Sequence, residues 1–249
     1  MRTEEGHKVD LVIGDEEDLA HALAQRISEV LLSSSRCPRI GLATGKSPRL
    51  AYEVLRELHQ NRRIDLTHAV WVMLDEYVGL PPGHERRFDQ ELRRSIFGGL
   101  LPAAINLVSP FPGSTGDDNS LDLFRRAVAA EPTDLQLLGI GRNGHIAFNE
   151  PGSDFSSRAR IVKLSETTRS DMLLDGWDIA EMPTYAATQG LSDVMASKEV
   201  LLLAFGESKV DAIHKAFRER PNVSSPASVL QNHPKVKLFI TPEVARALR

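Results

Sequence analysis

Short runs of apolar residues alternate along this chain with longer stretches in which apolar positions recur at helical spacing. The runs predict strands at 9–14, 38–44, 67–74, 135–141, 199–205 and 236–241. The spaced segments predict helices at 16–34, 48–62, 88–97, 119–130, 185–196 and 209–218. In the first of them Leu19, Leu23, Ile27 and Leu31 recur at turn spacing. This alternation predicts an α/β fold: one Rossmann-like domain over 1–249, with a mostly parallel open sheet and helices on both faces. Gly/Pro/Ser-rich stretches at about 109–116 and 221–226 read as surface loops. Open parallel sheets bind ligands beyond the carboxyl ends of their strands, so the turns there are where chemistry is expected.

Composition narrows the class. The chain has 249 residues, 41% hydrophobic and 26% charged, enough apolar material to close one sizeable core. A net charge of -4 without a Lys/Arg run argues against a nucleic-acid partner. A single cysteine, Cys37, forms no internal disulfide, and no Cys/His spacing suggests bound metal, so a reducing cytoplasm is the expected setting. The polar start MRTEEGHKVD lacks the basic and apolar regions of a secretory leader. Val200 to Phe205, among the longest apolar runs, is too short to span a bilayer, so no membrane association is expected.

Three motifs follow predicted strands. Gly41 to Pro48, GLATGKSP, runs off a strand into a helix, where Thr44, Gly45, Lys46, Ser47 and free backbone N–H groups could surround an anion. It is not a nucleotide-binding P-loop, because that spacing requires glycine at position 40, which is Ile40. Strand-to-helix turns use Gly, Ser and Pro whatever they bind, so this motif alone leaves phosphate binding open. In LDEYVG, Asp75 and Glu76 directly follow an apolar strand, where a carboxylate can act as a base next to a carbonyl. Adjacent side chains on an extended chain point to opposite sides, so one acid is expected to face the pocket, although both could equally be solvated or cap the next turn. In GIGRNGHIAFNEP, glycines permit close backbone approach to a ligand, and Asn143, His145 and Glu150 supply an imidazole with two polar partners.

LDEYVGL and GHIAFNEPGSDFSSRARIV, with MPTYAATQG and HPKVKLFIT, resemble glucosamine-6-phosphate deaminases across nearly the whole chain. These belong to a superfamily shared with 6-phosphogluconolactonases and ribose-5-phosphate isomerases. The resemblance implies conversion of glucosamine 6-phosphate to fructose 6-phosphate and ammonia, with Asp75 moving the proton between C2 and C1. It implies that His145 opens the pyranose ring, oriented by Glu150 and Asn143, and that Thr44 to Ser47 and Lys209 hold the phosphate. No metal or redox cofactor is implied; the partner is a small amino-sugar phosphate, and a homo-oligomer is left open.

Two positions depart from the family. Asn143 stands where the family often has Asp, and an expected phosphate-binding arginine falls on Leu174, which makes Lys46 the expected substitute cation. The chain stops at Arg249, which argues against the allosteric activation of the longer hexameric deaminases. Lactone hydrolysis by the same loop and histidine, and a sugar-phosphate sensor without turnover, are the competing expectations.

Overall fold

The computed structural model describes residues 9–98, 100, 102–111 and 114–248. Residues 1–8, in the polar start, and residues 112–113, in the predicted loop at 109–116, lie outside the described residues.

In chain order the strands and helices are β1 (Val9–Ile13), α1 (Glu16–Ser33), β2 (Arg39–Leu42), α2 (Arg49–Gln60), β3 (Val70–Met73), β4 (Asp75–Tyr77), α3 (Phe88–Ser95), β5 (Asn106–Val108) and α4 (Asp118–Ala130). There follow β6 (Leu135–Gly139), β7 (Arg160–Lys163), α5 (Glu166–Leu174), β8 (Tyr185–Thr188), α6 (Leu191–Met195), β9 (Val200–Ala204), α7 (Val210–Arg218), β10 (Val236–Ile240) and α8 (Pro242–Ala245). All six predicted strands form. They enter a seven-stranded parallel sheet in the order β1-β10-β9-β6-β2-β3-β5, with β5 as the member that the apolar pattern did not reveal. Every residue of β2 and of β9 is buried, as strands covered on both faces must be.

Helix boundaries follow local chemistry. Asp15 caps α1 by accepting from the Asp18 N–H at 2.8 Å, and three acids fill the first turn, where the helix dipole favours them. Asp117 caps α4 in the same way through Ser120 N, at 2.7 Å.

The helix predicted at 185–196 does not form as one element. Tyr185–Thr188 is a strand, β8, and only Leu191–Met195 is helical. β8 pairs antiparallel with β4 on one side and β7 on the other, making a second, three-stranded sheet. Two buried contacts fasten it to the main sheet: Gln189 Nε2 donates to Met73 O at 2.9 Å, and Gln189 N donates to Leu74 O at 2.7 Å. Tertiary hydrogen bonding here overrides the helical preference of the two alanines, Ala186 and Ala187. α5 was also absent from the sequence reading; its start is capped by Ser165, which accepts from Thr168 N at 3.1 Å.

The strand order locates the site. The chain lays down β2, β3 and β5 in one direction, then returns to place β6 on the other side of β2. That reversal opens a crevice above the carboxyl ends of β2 and β6.

Candidate active site

A cavity of about 560 Å³ lies at this switch point, lined by Thr44, Gly45, Lys46, Ser47, Asp75, His145 and Lys209 among others. Four different strands deliver them: the loop after β2, β4 directly after β3, the turn after β6, and the helical turn Glu207–Lys209 after β9. Residues scattered over the sequence therefore converge because the parallel sheet aligns the strand ends.

Asp75 and Glu76 occupy opposite environments. Asp75 lines the cavity, with its position fixed by pairing of β4 with Thr188 of β8. Burial pushes its carboxyl well above the usual range, and the nearby charges of Glu76 and Glu91 push it further. Glu76 is fully buried and accepts from the N–H groups of Tyr77, Phe88 and Asp89 at 2.9, 3.1 and 3.0 Å. It holds the start of α3, with the buried Arg87 guanidinium 3.7 Å away.

The GIGRNGHIAFNEP segment forms a compact turn after β6. Gly141 has to be glycine, because a Cβ there would run into the His145 ring, and Gly144 adopts φ +83. The turn is closed by Gly141 N donating to His145 O at 2.9 Å. Asn149, fully buried, clamps the far side: its Nδ2 donates to Ile146 O at 3.1 Å and Gln189 O at 2.9 Å, and its Oδ1 accepts from Arg160 at 2.9 Å.

Behind His145 sits a polar relay. Glu150 Oε2 lies 3.5 Å from His145 Nδ1, an ion-pair separation, and accepts from Asn143 Nδ2 at 2.9 Å. Asn143 Oδ1 in turn accepts from the His145 N–H at 3.2 Å. Thr168 Oγ1, on α5, donates to the other carboxylate oxygen of Glu150. Burial would raise Glu150, but His145, Thr168 and Asn143 outweigh it and hold the carboxyl at about 2. Thr168 went unrecognised in the sequence because the helix carrying it did; the S-x-x-T pattern of Ser165 and Thr168 was the available signal.

The remaining walls divide by chemistry. Tyr77, Phe88, Phe148 and Trp177 stack into an aromatic wall with ring centroids 4.6 to 6.0 Å apart, and Arg86 lies over Trp177 at 4.8 Å. Burial pushes the Lys209 ammonium down, partly offset by the attraction of Asp171 and reinforced by Arg142. Arg142 is itself ion-paired with Asp171. Lys46 extends across the mouth to Asp175 at 2.8 Å, its side chain 83% exposed. Leu174 is 81% exposed and brings no charge to the cavity. Glu91 and Arg49, which the sequence reading passed over, also line it.

This arrangement can bind a phosphorylated polyol, transfer a proton at one carbon from a buried carboxylate, and shuttle a second proton on an imidazole. Among the described residues, no helix is long and apolar enough to cross a membrane.

Known proteins resemble this chain in sequence and fold. Residues 14–239 match the family described as glucosamine-6-phosphate isomerases/6-phosphogluconolactonase. A glucosamine-6-phosphate deaminase of Beutenbergia cavernae is 39% identical over 243 residues, covering 96% of this chain and 92% of the relative. Glucosamine-6-phosphate deaminase 2 of Giardia intestinalis is 38% identical, covering 90% and 85%. Among solved structures, a monomeric glucosamine-6-phosphate deaminase superposes with a TM-score of 0.87 at 32% identity, covering 96% of this chain and 99% of its own. A 6-phosphogluconolactonase from Trypanosoma brucei, at 19% identity and a TM-score of 0.80 over 98% and 100%, shares the fold.

Proposed function

Because this chain belongs to the family of glucosamine-6-phosphate isomerases and 6-phosphogluconolactonases, we propose that it converts glucosamine 6-phosphate to fructose 6-phosphate and ammonia. The observation that carries this reading is the convergence of Asp75, His145 and Lys209 on one cavity, with Glu150 and Asn143 behind the imidazole.

In this reading His145 takes the proton of the C1 hydroxyl and returns one to the ring oxygen, which opens the pyranose. The ionised Glu150 holds the imidazole for both transfers. Asp75 then removes the C2 proton and delivers it to C1. The resulting C2 imine adds water and expels ammonia, leaving the ketose. Water therefore enters as a reactant, and every other step is a proton movement. Lys209 and the Thr44 to Ser47 loop anchor the phosphate, and this binding energy, remote from the reacting carbons, holds the open chain against Asp75. The aromatic wall limits water at the carbon being deprotonated.

All the residues assigned to the reaction come from one chain, so the reading requires no second copy. The cytoplasm, where phosphorylated amino sugars are retained, is the proposed compartment.

The test is incubation of the purified protein with glucosamine 6-phosphate, galactosamine 6-phosphate and 6-phosphogluconolactone, with ammonia, ketose phosphate and free acid quantified. Stoichiometric ammonia and fructose 6-phosphate from the first is the expected result. Acid from the lactone without ammonia from either amino sugar would select lactone hydrolysis, and tight binding without product would select a sensor.

A further inference from the structure

Most of the cations that line the cavity are already engaged by the chain. Lys46 pairs with Asp175 at 2.8 Å, and Arg49 faces Glu91 at 3.7 Å. Arg94 donates to Glu85 O at 2.7 Å, and Arg86 donates to Gly176 O at 2.7 Å while lying over Trp177. Lys209 differs: among the described residues its ammonium makes no hydrogen bond or ion pair. It is the cavity cation with its full capacity left for a ligand.

That freedom has a cause, because a carboxylate stands close by. Asp171, on α5, lines the same cavity, and its charge attracts the Lys209 ammonium. An unpaired Asp171 would act twice against a bound phosphate, once by drawing the ammonium to itself and once by repelling the dianion. Arg142, in the turn after β6, takes Asp171 instead: its guanidinium pairs with that carboxylate. Arg142 is not among the residues that line the cavity, so its influence on a ligand passes through Asp171.

We propose that Arg142 is a positioning residue for phosphate recognition, which holds and neutralises the Asp171 carboxylate and so keeps Lys209 free to bind the phosphate of the substrate. The proposal rests on the phosphate-binding part of the reading above and names what makes it possible at a site that contains a carboxylate. Removing one partner of an ion pair leaves the other charge uncompensated, and here that charge faces the ligand. Both side chains are partly open to solvent, which screens the effect without abolishing it.

The test is calorimetric binding of 2-amino-2-deoxyglucitol 6-phosphate, and of the same amino hexitol without its phosphate, to the wild type, to Arg142→Ala and to the double variant Arg142→Ala/Asp171→Asn. The wild type is expected to prefer the phosphorylated ligand. Arg142→Ala is expected to lose about tenfold in affinity for it, the scale of one unit charge acting on a partly solvated dianion, with less than about twofold change for the other ligand. The double variant is expected to recover to within about twofold of the wild type, because asparagine removes the charge that Arg142 had held. Loss without recovery overturns the proposal, since Arg142 would then touch the phosphate itself or shape the turn that carries His145. Equal loss for both ligands, or no loss in Arg142→Ala, overturns it as well. A wild type that binds the two hexitols equally also overturns it, because the site would not read phosphate. A wild type that shows the preference, the loss and the recovery but releases no ammonia from glucosamine 6-phosphate removes the deaminase reading and leaves the role of Arg142 standing.

Discussion

Asp75 and Glu76 are covalent neighbours on β4 whose carboxylates do opposite things: Asp75 lines the cavity, and Glu76 is sealed beneath it on three main-chain N–H groups at the start of α3. An acid that caps buried backbone cannot also serve as a mobile base. Asp75→Asn should therefore lower kcat for ammonia release by about 10²–10⁴-fold while leaving substrate affinity within a few-fold, because the amide keeps the shape and removes the base. Near-normal turnover in Asp75→Asn with an inactive but folded Glu76→Gln would reverse the assignment.

The same substitution should stabilise the fold at neutral pH. Burial raises Asp75 first, with Glu76 and Glu91 adding to it, so its folded value lies above the unfolded one. A group raised in this way contributes stability that is fully present below the unfolded value, near 3.9, and is lost as pH rises through the folded value. Asp75→Asn escapes that loss. Urea unfolding at pH 4 and pH 8 should show the variant gaining on the wild type at pH 8; a constant difference between the two pH values would refute the linkage.

Arg87 is fully buried and donates to the carbonyls of Leu80, Ser114 and Phe111 at 3.1, 2.8 and 2.8 Å, with Asp89 at 3.0 Å. It binds the loop after β4 to the segment before α4. Arg87→Ala strips a buried partner from Glu76 and Asp89 and orphans three carbonyls. A loss of about 3–5 kcal/mol in chemical denaturation is expected. A change below about 1 kcal/mol would show that the surrounding groups find water instead.

The six main strands were legible because each is an apolar run buried on a parallel sheet, and β2, β6 and β9 are buried almost end to end. The second sheet was not. Its strands are three or four residues long, and Tyr185–Thr188 carries two alanines whose local preference is helical; only pairing with β4 and β7 makes it extended. The site followed the same division. Asp75 and His145 follow apolar strands and could be singled out, and Lys209 was pointed to by the family resemblance alone, whereas Thr168 and Glu91 project from helices and meet the site through partners 18 and 46 residues away. No local pattern records such a contact.

Lys209 and Lys46 were expected to share the phosphate, and their surroundings differ. Lys209 is partly buried, with its ammonium held down by that burial, and faces the cavity beside Arg142 and Asp171. Lys46 is 83% exposed and already engaged with Asp175. Lys209→Ala should weaken glucosamine 6-phosphate by about ten- to a hundredfold and leave unphosphorylated glucosamine unaffected. Lys46→Ala should weaken it less, because an exposed charge is screened by solvent. Titration with both ligands decides: equal loss for the two sugars would show that neither lysine reads phosphate.

Asn143, where the family resemblance led us to expect an acid, has an amide that donates to the Glu150 oxygen facing His145. Asn143→Asp exchanges that donor for a second carboxylate. Glu150, held at about 2 by His145, Thr168 and Asn143 against the effect of burial, loses one hydrogen bond and gains a like charge. Its carboxyl should rise, although two strong partners remain. For the imidazole the sign is opposite in consequence: added negative charge nearby favours the protonated ring. The His145-dependent limb of kcat/KM should accordingly move to higher pH. Because the two carboxylates are coupled, the profile belongs to the cluster, and the control is Glu150→Gln in both backgrounds. With Glu150 neutral, Asn143→Asp still shifts the limb upward if its own charge reaches the ring. A limb that stays in place in both backgrounds would show that position 143 does not govern His145, and that Glu150 and Thr168 set the imidazole without it.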